Sequence, residues 1–325
     1  MKLHRVSQTF SAILMLAIGG ITLSSACPSV KSAKQVPTLA EARKGFSTKL
    51  LKREVDQSGA ATPAPVEIYD TIQYKAPLGK QDAYVSVNPK DGKKHPAIIW
   101  IPGSFFSSIN LGTAITERLP IFASSGIIVM LPSLRGGNAN PGCKEYFVGE
   151  LDDILAAADH LAQLPYVDKN RIYLAGTSTG GTTALLTAEY TDRFRAIFAY
   201  GPSAEVAGYG QARLPFDCND VSETRIRSPL HWMHCVKNPT FVMEGDVGSN
   251  NIAPLNILKK ANRNPLIHFF PVPGATHRNV PDVVNPLIAK CIFADVGPTC
   301  SIELTQELIN TAFKAYQPKI EPVTK

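Results

Sequence analysis

The residues best suited to covalent chemistry stand at Gly176-Thr177-Ser178-Thr179-Gly180-Gly181. A G-x-S-x-G pattern between a strand and a helix makes a tight turn that lifts the serine above the sheet, and the glycines are needed where a Cβ would clash. The flanking sequence supplies both elements: Arg171–Ala175 reads as a strand and Thr179–Tyr190 as a helix. Ser178 is then a nucleophile, and the backbone N–H of Thr179 can donate to a developing oxyanion. A hydroxyl needs a base. Of the seven histidines, His277 is the one that follows the last predicted strand, within Pro273-Gly274-Ala275-Thr276-His277.

The base needs an acid to orient it. That acid should follow the penultimate strand, Thr240–Glu244, and Asp246 sits just past its end, so Asp246 is the expected acid. The position three residues after the glycine, where hydrolases often carry this aspartate, is Gly248 here; Glu244 and Glu205 remain as rivals. A second oxyanion donor should come from the turn after the strand Ala97–Ile101, at Pro102-Gly103-Ser104-Phe105, with the N–H of Ser104 and that of Phe105 both open as candidates.

These residues need a scaffold, and the hydrophobic pattern describes one. Glu67–Tyr74 and Ala83–Asn88 read as strands, with a turn at Asp91-Gly92. Ala97–Ile101 is a continuous apolar run, as expected of a strand covered on both faces. A helix near Ala114–Ser124, a strand Ile127–Leu131 and an amphipathic helix over 149–164 follow, then Arg171–Ala175, Thr179–Tyr190 and the strand Ala196–Tyr200. Thr240–Glu244 and Leu266–Phe270 are further strands, each followed by a helical pattern. The alternation predicts an α/β fold with a mostly parallel central sheet and helices on both faces. It occupies 66–325 as one domain, with a cap-like region at about 203–236.

The chain has 325 residues, 44% hydrophobic and 18% charged, enough for a large core and too apolar for a disordered protein. Lys2 and Arg5 precede an uncharged apolar run from Phe10 to Leu23, about 14 residues, which is short for a membrane span and suits a signal peptide. Ser24-Ser25-Ala26 then lead to Cys27, the arrangement of a lipoprotein cleavage site. Residues 1–26 are expected to be removed, Cys27 to be lipidated, and 27–65 to form a tether and N-terminal segment. The mature protein would then be anchored to a membrane of the bacterial envelope and exported. Loss of Lys2 and Arg5 lowers the formal charge from +6 to +4, with no long basic run, so nucleic acid is not an expected partner.

Export makes disulfides possible. Spacing favours Cys291–Cys300 and Cys218–Cys235, with Cys143 left over. His231-x-x-His234-Cys235 places three metal-ligand types together, but it lacks the glutamate of a metalloprotease helix and reads as structural. Gly208-Tyr209-Gly210 lacks the third glycine of a dinucleotide loop. No cofactor is expected.

From Leu134 to Gly181 the chain resembles the catalytic domain of prolyl-oligopeptidase-type serine hydrolases, members of the α/β-hydrolase superfamily. The residues that carry this are Arg135-Gly136-Gly137, then Leu164-Pro165-Tyr166-Val167-Asp168-Lys169-Asn170-Arg171-Ile172, then the turn at Ser178. Arg227-Ser228-Pro229-Leu230 and Lys237-Asn238-Pro239-Thr240 extend the likeness, which covers about 66–316. The resemblance implies Ser178 as nucleophile, His277 as base and Asp246 as acid. The chain departs from it at Pro102, where such peptidases often place a tyrosine, and at Thr179, where they commonly carry Tyr or Asn. The residues before 66 leave no room for their large propeller. A membrane-anchored carboxylesterase working through an acyl-enzyme is therefore the first expectation. The alternatives are a small serine peptidase for short peptides and a non-catalytic envelope lipoprotein that keeps the fold.

Overall fold

Alternation within the strands sends side chains to both faces of one sheet. In β3 (His95–Ile101), Ile98 and Trp100 join a core cluster on one side while Ala97, Ile99 and Ile101 join a cluster on the other. The computed structural model describes residues 36–65, 67–112, 118–248 and 251–316. Among these, eight strands form one sheet: β1 (Tyr69–Ala76), β2 (Gly79–Ser86), β3, β4 (Ile128–Pro132), β5 (Val167–Thr177), β6 (Ile197–Tyr200), β7 (Thr240–Val247) and β8 (Ile267–Thr276). Their spatial order is β1-β2-β4-β3-β5-β6-β7-β8. β1 and β2 form an antiparallel hairpin, β2 runs antiparallel to β4, and every later pairing is parallel.

Helices cover both faces. α2 (Pro120–Ser124), α7 (Val280–Ala294) and α8 (Gln306–Ala315) supply one core, containing Phe122, Val284 and Ile309. α3 (Gly149–Gln163), α4 (Thr179–Tyr190) and α6 (Ile252–Ala261) supply the other, containing Ile154, Leu185 and Leu255. α1 (Leu39–Arg43) and α5 (Val221–Arg227) pack nearer a third cluster, built on Phe216 and Trp232. This is the α/β-hydrolase fold. Within the resembling stretch, Arg135 donates to both carboxylate oxygens of Asp153 at 2.9 Å, pinning the loop after β4 to α3.

The elements differ from the hydrophobic pattern where polar residues are internally satisfied. β2 begins at Gly79 rather than Ala83, because buried Gln81 accepts from the Tyr74 hydroxyl and Asp82 accepts from Gln73. β7 runs on to Val247 and β8 to Thr276, well past their apolar runs. β8 tolerates Pro271 and Pro273 because it is the edge strand, where one side of the ladder needs no donors. Of the predicted helix Ala114–Ser124, residues 120–124 are helical and 113–117 lie outside the described residues.

Candidate active site

Ser178 is the single residue between β5 and α4. Its φ of 56° and ψ of −119° are strained for a residue with a side chain, a cost of about 1–3 kcal/mol that the surroundings must hold. They do so through the Ser178 N–H, which donates to the Tyr200 carbonyl at 2.7 Å, and its C=O, which accepts from the Thr182 N–H at 3.0 Å. A Cβ on Gly180 would overlap the Ile101 carbonyl, so the turn seats against the end of β3 only with glycine there.

His277 follows β8 directly. Its Nδ1–H donates to Glu244 Oε2 at 2.7 Å, which leaves Nε2 as the basic nitrogen. The imidazole is about one-third exposed, and the Glu244 side chain is 1% exposed. The other Glu244 oxygen accepts from the Gly245 N–H at 2.9 Å.

The expected acid is therefore corrected in its contact. Asp246 is exposed and accepts from the Gly274 N–H at 2.8 Å, clasping β7 to β8 rather than meeting the imidazole. A register shift between Gly245 and Val247 sets Asp246 off the ladder, while the longer glutamate chain reaches His277 from within the strand. Glu205, the other rival, is exposed and lies 4.0 Å from His231.

Ser104 and Phe105 both have left-handed backbones, with φ of 73° and 60°. The Phe105 N–H points into the site and donates to Thr179 Oγ1 at 3.1 Å. Thr179 itself opens α4, so its own N–H lies at the positive end of that helix. Ser178, Thr179, Ser104, Phe105 and His277 all line one cleft of about 950 Å³. The structure thus brings the predicted nucleophile, base and oxyanion-donor residues into one cleft, and leaves Asp246 out of it.

Two contributors were missed. Gly201 has a φ of 57°, and a Cβ there would overlap Glu244 Oε2 and lie 2.5 Å from His277 Cε1. The bare backbone is what admits the acid–base pair, and a lone Gly-Pro after a strand reads only as a turn. Tyr209 closes the cleft from the 203–236 region, where its hydroxyl shares a 2.8 Å hydrogen bond with Thr182. Burial pushes its pKa up to about 12, keeping the hydroxyl protonated. The Tyr209, Phe105 and Tyr146 rings form an aromatic wall, with Phe105 centred 4.9 Å from Tyr209 and 5.0 Å from Tyr146.

The remaining candidates lie elsewhere. The Cys143, Cys218, Cys235, Cys291 and Cys300 thiols are all free, so the structure does not form the two expected bridges. Cys291 and Cys300 pack against one cluster and Cys218 and Cys235 against another, but a shared cluster does not meet the narrow geometry of a disulfide. His234 faces the Pro37 carbonyl and His231 faces Glu205 and Arg225. Among the described residues, no group of three or more ligating side chains is placed to hold a metal ion. Cys27 and the expected signal peptide lie outside the described residues.

Comparison with known proteins finds likeness over the middle of the chain. Residues 114–254 match the prolyl oligopeptidase family, Peptidase_S9. The chain has the α/β-hydrolase fold and, over that stretch, resembles the prolyl oligopeptidase family. It is 30% identical over 100 residues to the uncharacterized peptidase YtmA of Bacillus subtilis, which is 31% of this chain and 38% of that protein. It is 32% identical over 116 residues to dipeptidyl-peptidase 5 of Porphyromonas gingivalis, 33% of this chain and 17% of that one. The chain thus spans well under half the length of these relatives. The crystal structure of Porphyromonas gingivalis dipeptidyl peptidase 4 superimposes with a TM-score of 0.56 at 21% identity, covering 69% of this chain and 35% of the other. The family match ends before His277, whose place rests on the geometry above.

Proposed function

We propose that this serine hydrolase cleaves short peptides by acyl transfer through Ser178, His277 and Glu244. The observation that carries the chemistry is the pairing of a strained, outward-facing serine with a histidine whose Nδ1 is held by a buried carboxylate in the same cleft. Peptides are preferred over the esters expected at first because the matching relatives are peptidases. Carboxylic esters remain the second reading, favoured by Pro102, which stands where such peptidases often place an oxyanion tyrosine.

In this reading Ser178 Oγ attacks the substrate carbonyl and His277 Nε2 takes its proton. Glu244 steadies the imidazolium through the Nδ1–H. The carbonyl oxygen becomes an oxyanion facing the N–H of Thr179 and that of Phe105 or Ser104. Because Phe105 N–H already donates to the Thr179 hydroxyl, the oxyanion replaces that hydroxyl as acceptor. His277 returns the proton to the departing amine or alkoxide. Water then attacks the acyl-enzyme by the same route and frees Ser178. The aromatic wall takes an apolar substrate group beside the reacting carbonyl.

A fluorophosphonate probe should label the wild type and leave Ser178→Ala unlabelled, and His277→Ala should lose turnover almost as completely. A panel of p-nitrophenyl esters beside aminoacyl and dipeptidyl anilides decides the substrate class: faster turnover of the anilides supports peptides, and turnover confined to esters overturns that choice. Turnover retained by Ser178→Ala on every member overturns the whole reading. We further propose that Cys27 anchors the enzyme to a membrane on the exported side, as the leader sequence suggests.

A further inference from the structure

The segment ahead of β1 reaches the loop that follows β3, and it does so through one carboxylate. Asp56 Oδ2 accepts the backbone N–H groups of Ser107 and Ser108, both at 2.9 Å. Its Oδ1 accepts from Lys144 Nζ at 2.8 Å, and the same ammonium donates to the Phe105 carbonyl at 3.2 Å. One ion pair therefore holds residues 105, 107 and 108 of the loop. Both partners are largely buried, with side chains 7% and 9% exposed.

The pair is itself fixed on both sides. The Asp56 N–H donates to the Gly136 carbonyl at 2.7 Å, and the Lys144 N–H donates to the Glu54 carbonyl at 2.9 Å. Tyr146, whose ring packs on Phe105, donates its hydroxyl to Glu54 at 2.6 Å. Burial pushes the Asp56 carboxyl up, but the hydrogen bonds from Lys144 and Ser108 outweigh it and hold its pKa below the ordinary value. The carboxylate is charged at neutral pH.

What this grip opposes is strain. Ser104 and Phe105 are successive non-glycine residues in the left-handed region, which a loop leaves readily unless it is held. In that conformation the Phe105 N–H meets the Thr179 hydroxyl at 3.1 Å. We infer that Asp56, acting with Lys144, is a positioning residue that keeps the loop after β3 in its strained form and so aims the second oxyanion donor. The N-terminal segment is then part of the catalytic machinery rather than a spacer. This rests on the serine-hydrolase reading above.

The test is Asp56→Asn and Lys144→Gln, singly and together, measured for kcat, KM, thermal melting and affinity for a substrate-like boronic acid that forms a tetrahedral adduct with the serine. A misplaced oxyanion donor costs about 10–10²-fold. Asp56→Asn should therefore lower kcat by that factor with KM changed by less than about threefold, and should weaken the boronic acid by the same factor. The double variant should be little worse than the worse single one, because the two act as a unit. A folded Asp56→Asn protein with wild-type kcat and boronic acid affinity overturns the inference, as does strict additivity in the double variant. If Asp56→Asn does not fold, Lys144→Gln carries the same kcat and affinity test. Ser178→Ala run in parallel separates the two levels. A wild type with no Ser178-dependent turnover sinks the hydrolase reading and this inference with it, whereas normal wild-type turnover matched by Asp56→Asn sinks only the inference.

Discussion

Glu244 Oε2 lies 2.7 Å from His277 Nδ1, with the glutamate side chain fully buried in β7 and the imidazole at the mouth of the cleft. The carboxylate acts from inside the sheet, four residues before position 248, where hydrolases often carry an aspartate for this work. Glu244→Gln should cost at least ~10²-fold in kcat/KM, because the amide can present the wrong group to Nδ1 and cannot offset an imidazolium. Asp246→Asn should stay within a few-fold of wild type, since Asp246 accepts from the Gly274 N–H while Glu244 holds the imidazole. Steady-state kinetics of the two variants on one substrate decides this, and the reverse ranking restores Asp246 as the acid.

Gly201→Ala should damage the site without replacing any of the groups proposed to react. The new methyl would overlap Glu244 Oε2 at a backbone φ of 57°. A left-handed alanine costs about 1–2 kcal/mol by itself, and displacement of the acid–base pair adds to the loss. The expected outcome is a fall in kcat of at least ~10-fold with fluorophosphonate labelling slowed in proportion. Labelling at the wild-type rate would show that the pair tolerates displacement.

Asp295 accepts from Arg195 Nε and Nη2, each at 2.7 Å, and from the Tyr173 hydroxyl at 2.7 Å, tying the end of α7 to the sheet. Burial pushes this carboxyl up, but the bonds from Arg195 and Tyr173 overcome it and hold its pKa well below the usual range. A depressed carboxylate stabilises the fold above its unfolded pKa of ~3.9, and that stability is lost as pH falls below it. Asp295→Asn should lower the melting temperature at pH 7 by several degrees, consistent with the ~3–5 kcal/mol cost of breaking a buried pair. The difference from wild type should shrink steadily toward pH 2; a constant offset would show that the charge is not responsible.

Glu189 on α4 presents the opposite case. It is buried, and neither carboxylate oxygen has a hydrogen-bond partner among the described residues. Burial raises its pKa well above the ordinary value. The folded state thus holds a proton that the unfolded chain releases above about pH 4.3, so stability falls as pH rises through that window, by about 1.4 kcal/mol per unit. Glu189→Gln should remove this slope, melting higher than wild type at pH 8 and no higher at pH 4. Parallel melting curves at the two pH values would refute the assignment.

Cys27→Ala should move the protein from the membrane to the soluble fraction with turnover retained, because the cleft is built entirely from residues after 51. Fractionation of cells expressing both forms checks this. A variant that stays with the membrane ends the lipid-anchor proposal.

Much of the chain is legible without coordinates. The turn at Ser178 announces itself because a strand, two close-packed glycines and a helix leave a serine one conformation, and those constraints are local. His277 follows from chain order, and the two-sided burial of β3 from an unbroken apolar run whose alternate residues feed separate cores. The acid was not legible. Whether Glu244 or Asp246 meets His277 depends on how far β7 and β8 pair beyond their apolar stretches, and on a register shift at Gly245 that no propensity encodes. Nor was the role of Gly201, whose missing side chain matters only because two segments distant in sequence meet above it. Asp56 lay in a stretch rich in Lys, Ser and Pro that reads as a tether, since single polar residues have no periodicity to reveal a partner 51 positions away. The sequence determined the elements and the candidate serine and histidine through short-range constraints. The tertiary structure decided which charges face one another, because that depends on long-range closure of the chain.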